Sequence, residues 1–240
     1  MADPVIDARG VLKNYGGLRP LRLAALTVHP GDRTAITGLD APAAEVLVNL
    51  LTGALLPDEG EVRLFGRATA VITDADDWLR TLDRIGLLSP RAMLADEFTV
   101  EQGIAMTFTL SLDPIPAAVA ADAARLAREA GLGEADLHTR LAQATPLVKA
   151  RCRLARALAT SPAVLVLEHA SALVSEGADA WGREIAALAT ARGMALLALT
   201  ADERFANAVA GTVFALDAAT GRLTPRGGWR RLFGRGQSRL

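Results

Sequence analysis

Residues 35–66 read AITGLDAPAAEVLVNLLTGALLPDEGEVRLFG. The apolar stretch at 33–37 runs into Gly38, a short loop follows, and residues 46–53 are again almost wholly apolar. That pattern reads as strand, loop and buried helix. Pro57-Asp58-Glu59-Gly60 then reads as a turn and 61–66 as another strand. Farther along, 163–167 and 194–199 are short apolar runs bounded by polar or turn residues, as expected of buried parallel strands. Strands alternating with helices predict an α/β fold with a mostly parallel sheet covered by helices on both faces. Between them, 102–141 is different: residues 117–132 carry apolar side chains at helical spacing, with Pro114 and Pro116 before them and Gly131 as a stop.

The opening block frames a phosphate-binding loop and resembles the ATP-binding subunits of ABC transporters, in which that loop reads GxxGxGK[ST]. Further landmarks follow in the order of that family, over roughly residues 5–220. Tyr15, the only tyrosine, stands where the family places an aromatic that stacks on adenine. Residues 85–90 match the approach to the glutamine loop, and 98–101 the segment after it. Residues 151–167 look like the helix after the signature motif running into the second phosphate-site strand, and Ser171-Ala172-Leu173 fits the turn beyond it. The resemblance implies a P-loop NTPase-like core in a single cassette domain over 1–240. It also implies an ABC-type helical subdomain at 89–158 and leaves a basic C-terminal tail at 221–240.

Departures from the family fall on the groups that do its chemistry. In such a loop backbone N–H groups and a helix N-terminus face the phosphates, a lysine neutralises them and a hydroxyl reaches Mg²⁺. The resemblance puts nucleotide contacts on Tyr15, Gly38, Leu39, Asp40, Ala41, Pro42, Ala43, Ala44, Glu45 and Val46. Ala44 replaces the lysine and Glu45 the hydroxyl residue. Two unit charges about 4 Å apart interact by roughly 4 kcal/mol at an effective dielectric of about 20, so a swing of two charges beside a triphosphate is worth several. Ala41 and Ala43 replace glycines, and Pro42 removes an N–H. Glu45 could act at the first turn of a helix opening near residue 45 as a built-in substitute for phosphate, or point into solvent.

The degeneracy extends to the other motifs. The Walker B Asp maps to Glu168, the one retained carboxylate and the possible metal ligand; the Glu after it maps to His169, and the switch histidine to Ala201. His169 could serve as a base, or simply close a buried strand. The glutamine-loop Gln maps to Pro90; Arg91 beside it could reach a phosphate or be an ordinary surface arginine. The signature LSGGQ falls on residues 144–148, with Pro146 and Leu147 in place of its glycines. ATP and Mg²⁺ are accordingly expected to bind weakly or not at all, and no catalytic residue stands out.

Composition sets outer bounds. The 240 residues are 51% hydrophobic and 22% charged, which is globular composition and ample for a packed core. A net charge of −1 offers no whole-chain attraction to nucleic acid or anionic lipid. Cys152 has no cysteine partner and suits a small apolar position. No membrane span or signal region is evident, so the expected place is the cytoplasm, at the inner face of the membrane. Arg226, Arg230, Arg231, Arg235 and Arg239 give the tail a basic character suited to an anionic surface or to solvent. Three functions stay open: a non-hydrolysing or regulatory subunit of a transport complex, an ATPase with substituted ligands, and a scaffold unrelated to transport. For the first, the resemblance implies an integral membrane permease as partner, and a second ABC ATPase subunit or a second copy.

Overall fold

A computed structural model describes residues 3–226 of the chain. Two strands open it, β1 (Ile6–Lys13) and β2 (Leu21–Val28), followed by β3 (Arg33–Thr37), α1 (Ala41–Leu51), β4 (Glu59–Leu64) and the short β5 (Arg67–Ala68). Next come α2 (Ala75–Leu82) and β6 (Ile85–Leu88). The chain then leaves the sheet for a helical excursion: α3 (Val100–Ala105), α4 (Ala117–Glu129), α5 (Glu134–Leu137) and α6 (Pro146–Ala157). It returns with β7 (Val164–Glu168), α7 (Ala178–Ala191), β8 (Ala195–Leu199), α8 (Glu203–Val209), β9 (Thr212–Leu216) and β10 (Leu223–Pro225).

The central sheet has the order β10-β9-β3-β8-β7-β6. Every pairing in it is parallel except β9 with β10. Alternation along its strands decides the layers. Val164, Val166, Leu197 and Leu199 pack with Ile36 and α1, whereas Leu165, Leu167, Leu196 and Ala198 pack with Ala35 and the helices of the other face. A second sheet, β2-β1-β4-β5, is wholly antiparallel and covers the far side of α1. Buried between two sheets, α1 is apolar nearly all round: Ala43, Ala44, Val46, Leu47, Val48, Leu50 and Leu51 are all inside.

Three boundaries differ from the sequence reading. Glu59 and Gly60 belong to β4 and not to a turn. Gly60 has φ +81°, and a Cβ there would lie 2.3 Å from the Gly10 carbonyl oxygen, so the strand continues past a close backbone crossing that only glycine permits. The start of α1 lies at Ala41, not near residue 45. Within the segment taken as a tail, Leu223–Pro225 forms an edge strand on β9, and Arg226 is ion-paired with Glu203. The other tail arginines, 230, 231, 235 and 239, lie outside the described residues.

Candidate functional site

The loop at the end of β3 is built by three residues. Gly38 turns the chain at φ +91°, where an added Cβ would meet the Leu216 carbonyl oxygen at 2.8 Å. Leu39 is buried at 3% exposure and anchors the loop in the core. Asp40 is the N-cap of α1: with φ −76° and ψ 172° it stands outside the helix, and its carboxylate accepts the Ala43 N–H at 2.9 Å. Its carbonyl accepts the Ala44 N–H, also at 2.9 Å. Pro42 within the first turn has no N–H to offer. The helix thus begins five residues before Val46 and caps itself.

This corrects the role suggested for Glu45. No acidic residue occupies the first turn of α1, and the capping carboxylate is that of Asp40. Ala44, which the resemblance sets against a lysine, is 0% exposed among the apolar side chains of the core. Glu45 turns instead toward Arg91, whose Nη1 donates to Glu45 Oε1 at 3.0 Å.

Arg91 is the centre of the site. Its Nε donates to both Glu168 oxygens at 3.1 Å, and its Nη2 to Glu168 Oε2 at 2.9 Å. Glu168 ends β7 with a side chain only 4% exposed, while Arg91 is 42% exposed. One guanidinium therefore joins a buried and a half-exposed carboxylate across two elements, in the forked geometry that suits arginine. The backbone turn that aims Arg91 is made by Ser89, buried, whose hydroxyl accepts the Arg91 N–H at 3.0 Å and whose carbonyl accepts the Ala92 N–H. On the opposite side α6 grips the same turn: Arg153 donates to the Ala92 carbonyl at 2.8 Å and Arg156 to that of Met93 at 2.9 Å.

The remaining positions lie as follows. His169 follows β7 in the left-handed region, φ 43° and ψ 38°, its N–H bonded to the Leu199 carbonyl and its buried Nε2 without a partner among the described residues. Ala201 is exposed, between the buried Thr200 and the half-buried Asp202 that caps α8. Residues 144–148 hold no open glycine loop: Thr145 caps α6 through the Val148 N–H, and Pro146 opens the helix. Tyr15 is half-buried beyond β1, where Lys13 and the Asn14 N–H both bind Asp58 at 2.7 Å. The Lys13 hydrogen bond is the chief cause of an Asp58 carboxyl held below its ordinary range.

Tyr15, Gly38, Leu39, Asp40, Pro42 and Ala43 come together around an open cleft of about 470 Å³. Glu45, Glu168, His169 and Ala201 do not line it. Among the described residues, no group of three or more His, Cys, Asp or Glu side chains could hold a metal ion, and no helix is long and apolar enough to cross a membrane. Cys152 is fully buried, and that burial pushes its thiol up to about 11, which leaves it a packing residue. Asp40 and Arg91 are both named by the sequence, Asp40 as a nucleotide contact and Arg91 as a possible phosphate ligand, but not in the roles they hold here. The cap could have been found, since Asp two residues before Pro is a helix-start signal; Arg91's two partners lie 46 and 77 residues away, and no local pattern announces them.

No protein-family model matches the chain. The methionine import ATP-binding protein MetN of Caulobacter vibrioides is 32% identical over 234 residues, covering 95% of this chain and 68% of that protein. The Fe(3+) ions import ATP-binding protein FbpC 3 of Rhodococcus jostii is 30% identical over 230 residues, or 95% of this chain and 63% of the relative. A ribose import ATP-binding protein, RbsA 2 of Rhizobium etli, is 28% identical over 181 residues, 73% of this chain; the match spans 34% of that longer protein. Among solved structures, the dimeric bacterial ABC transporter cassette MJ0796 superposes with a TM-score of 0.73 at 20% identity, covering 93% of this chain and all (100%) of that one. The protein cbiO1 of Clostridium perfringens, part of the ABC transporter complex cbiONQ, gives 0.73 at 18% identity, covering 92% of this chain and 87% of that one. The structural likenesses carry the fold, and the sequence relatives carry the kinship: the chain belongs to the family of ATP-binding subunits of ABC transporters.

Proposed function

We propose that this chain is a non-hydrolysing ATP-binding-cassette subunit that acts as a structural or regulatory partner in a membrane transport complex. The observation that carries the reading is the turn from Gly38 to Glu45. There the cap position, the Ala43 N–H and the lysine position are all taken up by the protein itself. The residues present do not fit a magnesium–triphosphate. Ala44 supplies no charge, Pro42 no donor, and the Asp40 carboxylate on the cleft would repel the phosphates. Glu168, the one acidic group at the metal position, has both oxygens on Arg91. No hydrolytic step is therefore derived for this chain.

Relatives named as import ATP-binding proteins support a transport setting. In that setting the chain would lie peripherally at the membrane, with a permease and a second cassette, its own copy or another, as partners. Residues 1–240 would act as one cassette, with 89–158 as its helical subdomain. The cleft beside Tyr15 leaves room for a flat ring, so weak binding without turnover is compatible with the proposal.

One observation favours a second reading, an ATPase with substituted ligands. That reading needs an arginine delivered to the phosphate loop, and Arg91 reaches Glu45 on the helix that follows the loop. Three of its five N–H groups are already engaged by Glu168 and Glu45. The Arg91→Ala variant separates the two: if Arg91 is a ligand, nucleotide binding disappears; if it is a resident counter-ion, binding does not fall. Membrane-complex purification through a tag on this chain tests the setting. Co-purification of a multi-span membrane protein in stoichiometric amount is expected, and recovery of the chain alone would count against the transport role.

A further inference from the structure

We propose that Arg91 is a ligand-independent latch, fastening the segment that enters the helical excursion to the sheet core by binding Glu168 and Glu45 together. The segment 89–93 is the first stretch of chain after β6, and it is held from two sides. Toward the core the Arg91 side chain alone reaches both α1 and the end of β7, with Nη1 on Glu45 at 3.0 Å and Nη2 on Glu168 at 2.9 Å. Toward the excursion the backbone does the work, because Arg153 and Arg156 of α6 each bind a carbonyl of the same turn. The Ser89 hydroxyl on the Arg91 N–H fixes the angle between the two sets of contacts. Arg91 thereby couples three elements, α1, β7 and, through the turn, α6, with no bound molecule between them.

The chemistry makes the latch a directional one. Glu168 is nearly sealed from water and depends on the guanidinium for its hydrogen bonds, whereas Glu45 is half solvated and can do without it. The strong end of the latch is the fork on Glu168 and the weak end is the single bond to Glu45. A lysine at the same place keeps the charge but not the fork. The latch deepens the non-hydrolysing reading and rests on it in one respect, that no triphosphate competes for Arg91.

Amide hydrogen exchange on the full chain tests the proposal. Without nucleotide, Arg91→Ala should speed exchange across 89–94 and the first turn of α6 by about tenfold, with Arg91→Lys giving a smaller acceleration and Glu45→Gln the smallest. Strands β3, β7 and β8 should keep their protection, which shows that the variants are folded. Unchanged exchange at 89–94 in both Arg91 variants overturns the latch. Should Arg91→Ala fail to fold, Arg91→Lys and Glu45→Gln carry the same ordering, and its absence overturns the proposal equally. A separate arm with Mg-ATP on the unmodified chain reports on the other reading. Slower exchange at 38–46 together with steady phosphate release on adding Mg-ATP would defeat the non-hydrolysing account, while the nucleotide-free comparison still decides the latch.

Discussion

Replacing Arg91 with alanine strands the Glu168 carboxylate. Its side chain is 4% exposed, and among the described residues all of its side-chain hydrogen bonds come from Arg91. Removing one partner of a buried ion pair costs about 3–5 kcal/mol, because the surviving charge is left desolvated. Arg91 itself is 42% exposed, so water enters the space it vacates, and the cost is discounted below that range, to about 2–3 kcal/mol. The lost contact to half-exposed Glu45 adds about 0.5 kcal/mol at most. For a chain of this size that total lowers Tm by roughly 5–10 °C. Urea unfolding followed by circular dichroism measures it, and the double variant Arg91→Ala with Glu168→Gln tests the cause. A neutral amide at 168 removes the buried charge, so the double variant should recover more than half of the loss despite carrying two changes. A loss below about 0.5 kcal/mol, or a double variant no more stable than Arg91→Ala alone, would refute the argument.

Two further outcomes are expected. Asp40→Ala should cost about 1 kcal/mol by leaving the Ala43 N–H uncapped, with Asp40→Asn losing much less; equal losses in the two would remove Asp40 from its capping role. Burial pushes the Cys152 thiol from an ordinary value of 9.0 to about 11. The folded chain therefore binds a proton that the unfolded chain releases, so stability is full below about pH 9 and falls as pH rises toward 11. An aromatic disulfide reagent at pH 8 should label Cys152 only after denaturation; rapid labelling of the native chain would contradict its burial.

Much of the architecture could be read from residue order because it rests on local pattern. Short apolar runs ending at Thr37, Glu168 and Leu199 became β3, β7 and β8, and their alternation assigned each side chain to a face. The antiparallel sheet was harder to see, since β1 and β4 are 45 residues or more apart in their pairing and meet at Gly10 and Gly60, where the rule is a backbone approach and not a periodicity. At the site, Ala44 is legible in the sequence as an uncharged residue where the resemblance expects a lysine. The Arg91 cluster is not legible: Arg91 meets carboxylates supplied by α1 and by β7, and only the packed sheet sets those two beside it. The helix start was misplaced because the family pattern was followed at 38–45, although Asp40 and Pro42 already spelled an earlier N-terminus.

At the centre stands the proposal that this cassette neither binds Mg-ATP tightly nor hydrolyses it. Calorimetric titration of the purified chain with Mg-ATP, with phosphate release followed in the same samples, tests it most directly. The account expects no saturable heat below about 1 mM and no phosphate above the uncatalysed background. Saturable binding in the micromolar range with steady phosphate release would contradict it.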